Sequence, residues 1–199
     1  MIRTPALSIL AVVTVAAVVG CHRAPPPPPP EPAPTVNQDS IDAARRARED
    51  SIRADSIRRV QEAEAAARAE RDRRIAEMRN TLASQIFFDY DSDALSAQAQ
   101  STLDAKLAIL NANAAVRLRI AGNADERGSD EYNLALGQRR AAAAKRYLTQ
   151  HGIADDRLEI VSYGEERPVC QQSDESCYQQ NRRDEFEIIA GGDSLNPTD

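Results

Sequence analysis

Tryptophan is absent, aromatic residues make up 4% of the chain, and none of them precedes Ser84. A stretch with no aromatics and much charge lacks the apolar bulk that offsets the entropy of ordering. A packed core is therefore expected only beyond about Ser84, where roughly 110 residues suffice for one domain. A basic excess is also missing: 25 Lys and Arg face 31 Asp and Glu, which leaves a net charge of −6 at pH 7 and a pI near 5.1. That balance argues against nucleic acid as a partner, because such binding leaves a basic footprint. Lysine itself is nearly absent, with Lys106 and Lys145 standing among arginines. Cysteine is confined to Cys21, Cys170 and Cys177, and neither His22 nor His151 has a ligand-like spacing to them, so no metal or cofactor is expected. Finally, no apolar run reaches the ~20 residues that a membrane-spanning helix needs.

The apolar run that does exist, Ala6 to Val19 after Arg3, has the length and flanks of a secretory signal over residues 1–20. It ends in Val18-Val19-Gly20-Cys21, which resembles the bacterial lipobox, so Cys21 is expected to carry lipid. His22 follows it where an Asp often marks retention at the inner membrane, so the expected location is the outer membrane, facing the periplasm. In the spacer at 21–37, Pro25 to Pro30, Pro32 and Pro34 favour an extended polyproline II rod. Residues 38–83 then form an Ala-, Arg- and acid-rich segment with no Gly or Pro, which predicts a charged helix. Its Asp-Ser-Ile triplets at Asp39, Asp50 and Asp55 are an irregular duplication, and Ile41, Ile52, Ile57, Val60, Ile75 and Met78 are too sparse for a coiled-coil seam. An exported chain meets an oxidising compartment, so Cys170 and Cys177, close together in a polar loop, are expected to pair.

Beyond Ser84, strands and helices alternate. Gln85 to Asp89 reads as a strand, and Ser96 caps a helix to about Asn113 with Leu103, Leu107 and Leu110 on one face. Val116, Leu118 and Ile120 alternate with arginines as a half-buried strand. A second helix spans about Asp130 to His151, Leu158 to Ser162 gives a third strand, and Glu185 to Ala190 a last one before a flexible tail at 192–199. The pattern implies a layered α/β fold, an α+β sandwich, over residues 84–191.

The stretch Gly122-Asn123-Ala124-Asp125-Glu126-Arg127-Gly128 falls between a strand end and a helix start, where ligand groups gather and the helix N-terminus favours anions. At ~100° per residue, Gly137, Ala141, Ala144 and Leu148 define the packed face of the following helix. Arg140 lies about 70° from its centre and Arg139 points away. Arg140 can thus reach back to the turn, where a carboxylate from Asp125 and a guanidinium from Arg140 suit a ligand with an ammonium and a carboxylate on one carbon, such as the end of diaminopimelate. A glycosidase built on Asp89, Asp91, Asp93, Asp125 and Glu126 has no accompanying sugar-cleft aromatics, and a Ser-His or Cys-His nucleophile is lacking. Calcium fits no better, since Ala94 and Gln100 replace the Gly and Glu of a calcium loop opened by Asp89. The chain is therefore read as a binding protein and not an enzyme.

Phe88-Asp89, Gly122 to Gly128, Asn133-Leu134 with Leu136 to Ala141, Tyr163 to Pro168, and Asn181-Arg182-Arg183 resemble, in order and spacing, the OmpA-like peptidoglycan-binding domains, over about Gln85 to Gly191. The resemblance implies a compact βαβαβ-type domain that binds the peptidoglycan stem peptide noncovalently and ties the outer membrane to the wall. The site it implies comprises Asp125, Arg140, Phe88, Asp89, Arg127, Asn133, Leu136, Asn181 and Arg182. It also brings in Tol-system partners such as TolB, against the alternative of a wall tether without them. Three departures stand out: Asn123 where members usually carry His, the Cys170–Cys177 loop, and Asp184-Glu185 after Asn-Arg-Arg.

Overall fold

The computed structural model describes residues 37–197. The signal segment, Cys21 and the proline run lie outside the described residues. The elements are α1 Gln38–Ala83, β1 Ile86–Phe87, α2 Ala97–Ala112, β2 Arg117–Asn123, α3 Asp130–Gln150, β3 Leu158–Gly164, α4 Glu175–Asn181 and β4 Arg183–Ala190. The chain divides into two units, residues 1–51 and 52–199. The described part of the first is the start of α1, exposed at nearly every position and carrying an Arg45–Asp42 ion pair.

In the second unit α1 continues as a charged helix with Arg58 and Arg59 on Asp55, and Arg73 and Arg74 on Glu70. Such exposed i,i+3 and i,i+4 pairs are screened by water and add little to stability. The last turns behave differently: Leu82 is fully buried, and Ile75 and Met78 pack against the core. The packed domain thus begins inside α1, at about Ile75, and not at residue 84. A buried lysine adds polar contacts to this joint. Lys106 of α2 is inaccessible, and its Nζ donates to the carbonyls of Thr81, Leu82 and Ser84 at 2.8, 2.9 and 2.7 Å. These are carbonyls at and just beyond the end of α1, which the helix itself leaves without donors.

Ser96 Oγ accepts from Ala99 N at 3.1 Å and caps α2 as expected, but the buried face is Ala99, Leu103, Lys106 and Leu110, with Leu107 only half-buried. The sheet order is β1-β4-β2-β3. β2 and β3 are parallel and joined through α3, while β4 lies antiparallel between β1 and β2. Leu118, Ile120, Ile86 and Phe186 form its inner face against Leu103 and Leu110 of α2 and Ala141, Ala144 and Leu148 of α3. The helix α3 meets the sheet at two glycines: a Cβ on Gly122 would collide with the carbonyl oxygen of Gly137. That contact fixes the N-terminal half of α3 over the end of β2, which is where the site is built.

Three local expectations are corrected. The tail expected to be flexible at 192–199 is packed where it is described, with Leu195 buried in the core and Asn196 N donating to Asn113 Oδ1 at 2.8 Å. β1 is limited to Ile86–Phe87 and does not reach Asp89, although Phe88 N carries the same antiparallel register one residue further by donating to Arg182 O at 2.9 Å. The polar cysteine loop contains a helix, α4, with Asp174 as its N-cap, accepting from Cys177 N at 3.0 Å.

Candidate functional site

The turn from β2 to α3 is shaped by its ends. Gly128 has φ +124, a conformation that side-chain-bearing residues rarely adopt, and Ser129 Oγ caps α3 by accepting from Tyr132 N at 3.3 Å. Between them Asp125 is 4% exposed. Its Oδ1 accepts from Arg127 N and Nε, both at 3.1 Å, and its Oδ2 from Arg127 Nη2 at 2.7 Å and Arg182 Nη1 at 3.1 Å. Burial alone would raise the Asp125 carboxyl, but the hydrogen bonds from Arg127 and Arg182 outweigh it and hold it below the usual carboxylate range. Both guanidinium groups also reach Glu175 of α4, Arg127 Nη1 at 3.2 Å and Arg182 Nη2 at 2.6 Å. The Arg127 guanidinium lies over the rings of Tyr90 and Tyr178, 4.0 and 4.4 Å from their centroids.

Arg140 is wholly buried. Its Nε donates to Ser92 O at 2.8 Å, Nη1 to Asn123 O at 2.8 Å and Nη2 to Asp89 O at 3.1 Å, and it sits over the Phe88 ring. Burial pushes it down to about 10, opposed by Asp184 and Asp125, so it stays charged at neutral pH. Arg140 thus reaches the turn, as the helical geometry implies, while Arg139 is exposed beside Tyr132. One feature of the sequence picture changes: Asp125 and Arg140 are not a bare carboxylate and guanidinium facing solvent, since each is already engaged by protein groups.

A pocket of about 120 Å³ opens between them, lined by Tyr90, Asp91, Asp125, Arg127, Gly128, Tyr132, Asn133, Leu136 and Arg140. Five of the expected residues therefore share one wall system: Asp125, Arg127, Asn133, Leu136 and Arg140. The other four stand behind it. Phe88 is core beneath Arg140, Asp89 is exposed and contributes its carbonyl, and Arg182 backs Asp125. Asn181 holds the cysteine loop, accepting from Val169 N and Cys170 N at 2.9 and 3.1 Å. Tyr90 and Tyr132 were not legible as site residues in the sequence, and Asp91 stood there only as a carboxylate for a discarded catalytic role, although Tyr90-Asp91 directly follow the Phe88-Asp89 motif and Asp91 accepts from the Tyr132 hydroxyl. Sequence reasoning also missed Glu175 and Tyr178, which belong to the unrecognised α4. Cys170 and Cys177 are joined as a disulfide, 5.2 Å between Cα atoms, at the base of that helix. Among the described residues no three His, Cys, Asp or Glu side chains converge as a metal site requires.

Residues 87–182 match the model of the OmpA family. The crystal structure of the peptidoglycan-associated lipoprotein from Burkholderia pseudomallei is 42% identical, with a TM-score of 0.50, over 51% of this chain and 86% of that one. The chain belongs to the OmpA family. Curated relatives of this OmpA-family chain include the peptidoglycan-associated lipoproteins of Mesorhizobium japonicum, 50% identical over 51% of this chain and 61% of that protein, and of Pseudomonas putida, 50% identical over 50% and 60%. The match thus spans about 60% of the length of these relatives. Two of the departures from the OmpA-like pattern are buried in the structure. Asn123 donates to Ala121 O and Arg183 O at 3.0 and 3.3 Å, and neither its Oδ1 nor either oxygen of Asp184 finds a donor among the described residues.

Proposed function

We propose that this OmpA-family domain binds peptidoglycan without cutting it, taking the zwitterionic end of diaminopimelate in the pocket between Asp125 and Arg140. The observation that carries the reading is that pocket: a buried carboxylate and a buried guanidinium on the walls of a cavity sized for one amino-acid end, in a chain whose relatives are named peptidoglycan-associated lipoproteins. As the acid of a glycosidase Asp125 would have to hold a proton, and the two arginines that keep it ionised make it unsuited to that role. With lipid on Cys21, the same chain tethers the outer membrane to the wall, and TolB is the finer partner assignment.

The test is titration of the folded full chain with a diaminopimelate-containing stem peptide. Asp125→Ala and Arg140→Ala are expected to lose roughly 30-fold or more in affinity, the usual effect of truncating one member of a desolvated charge pair, while Arg139→Ala stays near wild type. Circular dichroism first establishes that each variant is folded. Full affinity in folded Asp125→Ala and Arg140→Ala would refute the clamp, and release of sugar or peptide fragments from purified wall would install the enzyme reading. Cys21→Ser is expected to free the protein from membranes, and failure to capture purified TolB would leave a tether without Tol partners.

A further inference from the structure

Asp125 has no acceptor site left for a ligand ammonium. A carboxylate offers about four lone-pair sites, and four N–H donors, three from Arg127 and one from Arg182, occupy them. One of the two arginines is fixed: the Arg182 side chain is 3% exposed and its Nε is bound to Phe88 O at 3.1 Å. Arg127 is not. Its side chain is 32% exposed, it rises from the turn two residues beyond Asp125, and its Nη1 already touches a second carboxylate, Glu175 Oε2, at 3.2 Å. The Tyr90 and Tyr178 rings give its guanidinium a flat surface to move across. Arg127 is therefore a removable cover on a carboxylate that burial keeps ready beneath it.

We propose that Arg127 is the selectivity residue of the pocket: its guanidinium occupies the place of the ligand's ammonium, and a ligand binds by exchanging with it on Asp125. The proposal rests on the reading that the pocket takes an amino-acid end. An amine that displaces Arg127 gains one charge-assisted contact and strips another from a partly desolvated guanidinium, so the exchange by itself returns little. A ligand with a carboxylate on the same carbon gives the displaced guanidinium a new partner beside Arg140, and no ion pair is lost. Arg127 thus discriminates through the cost it imposes on the wrong ligand. It disfavours a lone amine, such as a lysine side chain at the same place in a stem peptide, relative to diaminopimelate.

The full-length chain in detergent is titrated calorimetrically with two synthetic stem peptides that differ only in bearing diaminopimelate or lysine at the third residue. Wild type is expected to prefer the diaminopimelate peptide by about tenfold or more, the scale of one charge-assisted contact. Arg127→Gln is expected to bind the lysine peptide more tightly than wild type does and to narrow that preference about fivefold or more. Equal weakening toward both peptides, with the preference kept, overturns the exchange and makes Arg127 an ordinary contact. The second readout needs no variant: in wild type the Arg127 Nε–H signal is expected to move and to exchange faster with solvent when the diaminopimelate peptide saturates the site. A signal that stays still in the saturated protein overturns the exchange while leaving the pocket assignment intact. Wild type that binds neither peptide removes the pocket reading itself, and the exchange with it.

Discussion

Asp184 and Asp125 are both buried acids, yet their surroundings push them in opposite directions. Asp184 lies opposite Gly122 in the sheet, and its carboxyl, without a donor among the described residues, is raised well above the ordinary range by burial, opposed by Arg140. A group whose folded pKa is raised binds more protons in the folded state. Its contribution is complete below the unfolded value of about 3.9 and is lost as the pH climbs toward the folded pKa. Asp184→Asn is therefore expected to change stability little near pH 3 and to raise it by about 1 to 3 kcal/mol at pH 7, read from urea midpoints. Equal stability of the two proteins at pH 7 would show that the acid is satisfied after all. Asp125 has the reverse sign: its depressed pKa gives stability above about pH 3.9 that disappears as the pH falls through the folded pKa. Asp125→Asn is expected to cost about 2 kcal/mol at pH 7, and the gap to wild type should close on acidification. A gap independent of pH would assign the loss to geometry and not to charge.

Among the elements, α4 depends most on its surroundings. Seven residues are too few to form a stable helix alone, so its cap, Asp174, and the disulfide at its base supply the order. Its seven-residue separation limits the chain-entropy effect of the bond to about 2.5 kcal/mol. Reduction is thus expected to loosen α4 without unfolding the domain. Hydrogen exchange should quicken at Glu175–Asn181 while α3 amides stay protected. Loss of protection throughout the sheet on reduction would make the disulfide a support of the whole fold instead. Because α4 carries Glu175 and Tyr178, the loosened protein should also hold Arg127 less firmly.

At the scale of the molecule, the joint between α1 and the core decides where the domain begins. Removing everything before residue 84 deletes the buried Leu82 and the partly buried Ile75 and Met78, and takes two carbonyl partners from Lys106. Lys106 then keeps Ser84, and a half-satisfied buried ammonium is costly. A fragment starting at residue 84 is expected to be about 3 kcal/mol or more less stable than one starting near residue 70, as measured by urea unfolding. Matching stabilities would mean that the last turns of α1 only lean on the core. The joint also explains why position 106 is a lysine in a chain that uses mostly arginine. A compact ammonium with three donors can gather carbonyls at a helix end, which a planar guanidinium cannot do in the same space.

Local chemistry written in consecutive residues was legible in the sequence. The absence of Gly and Pro predicted α1, Ser96 marked the start of α2, alternation marked β2, and the small residues Gly137, Ala141 and Ala144 marked the face of α3 that meets the sheet. Helical geometry placed Arg140 within reach of the turn, because position on a helix follows from spacing alone. What depended on distant segments meeting was not legible. Lys106 reads as a solvated charge until the end of α1 arrives over it, and α4 has no apolar period to announce it. The state of Asp125 was decided last and farthest from the sequence. Its two arginines come from the turn itself and from the C-terminal end of α4, 57 residues away, and only the folded chain brings the second one to the carboxylate.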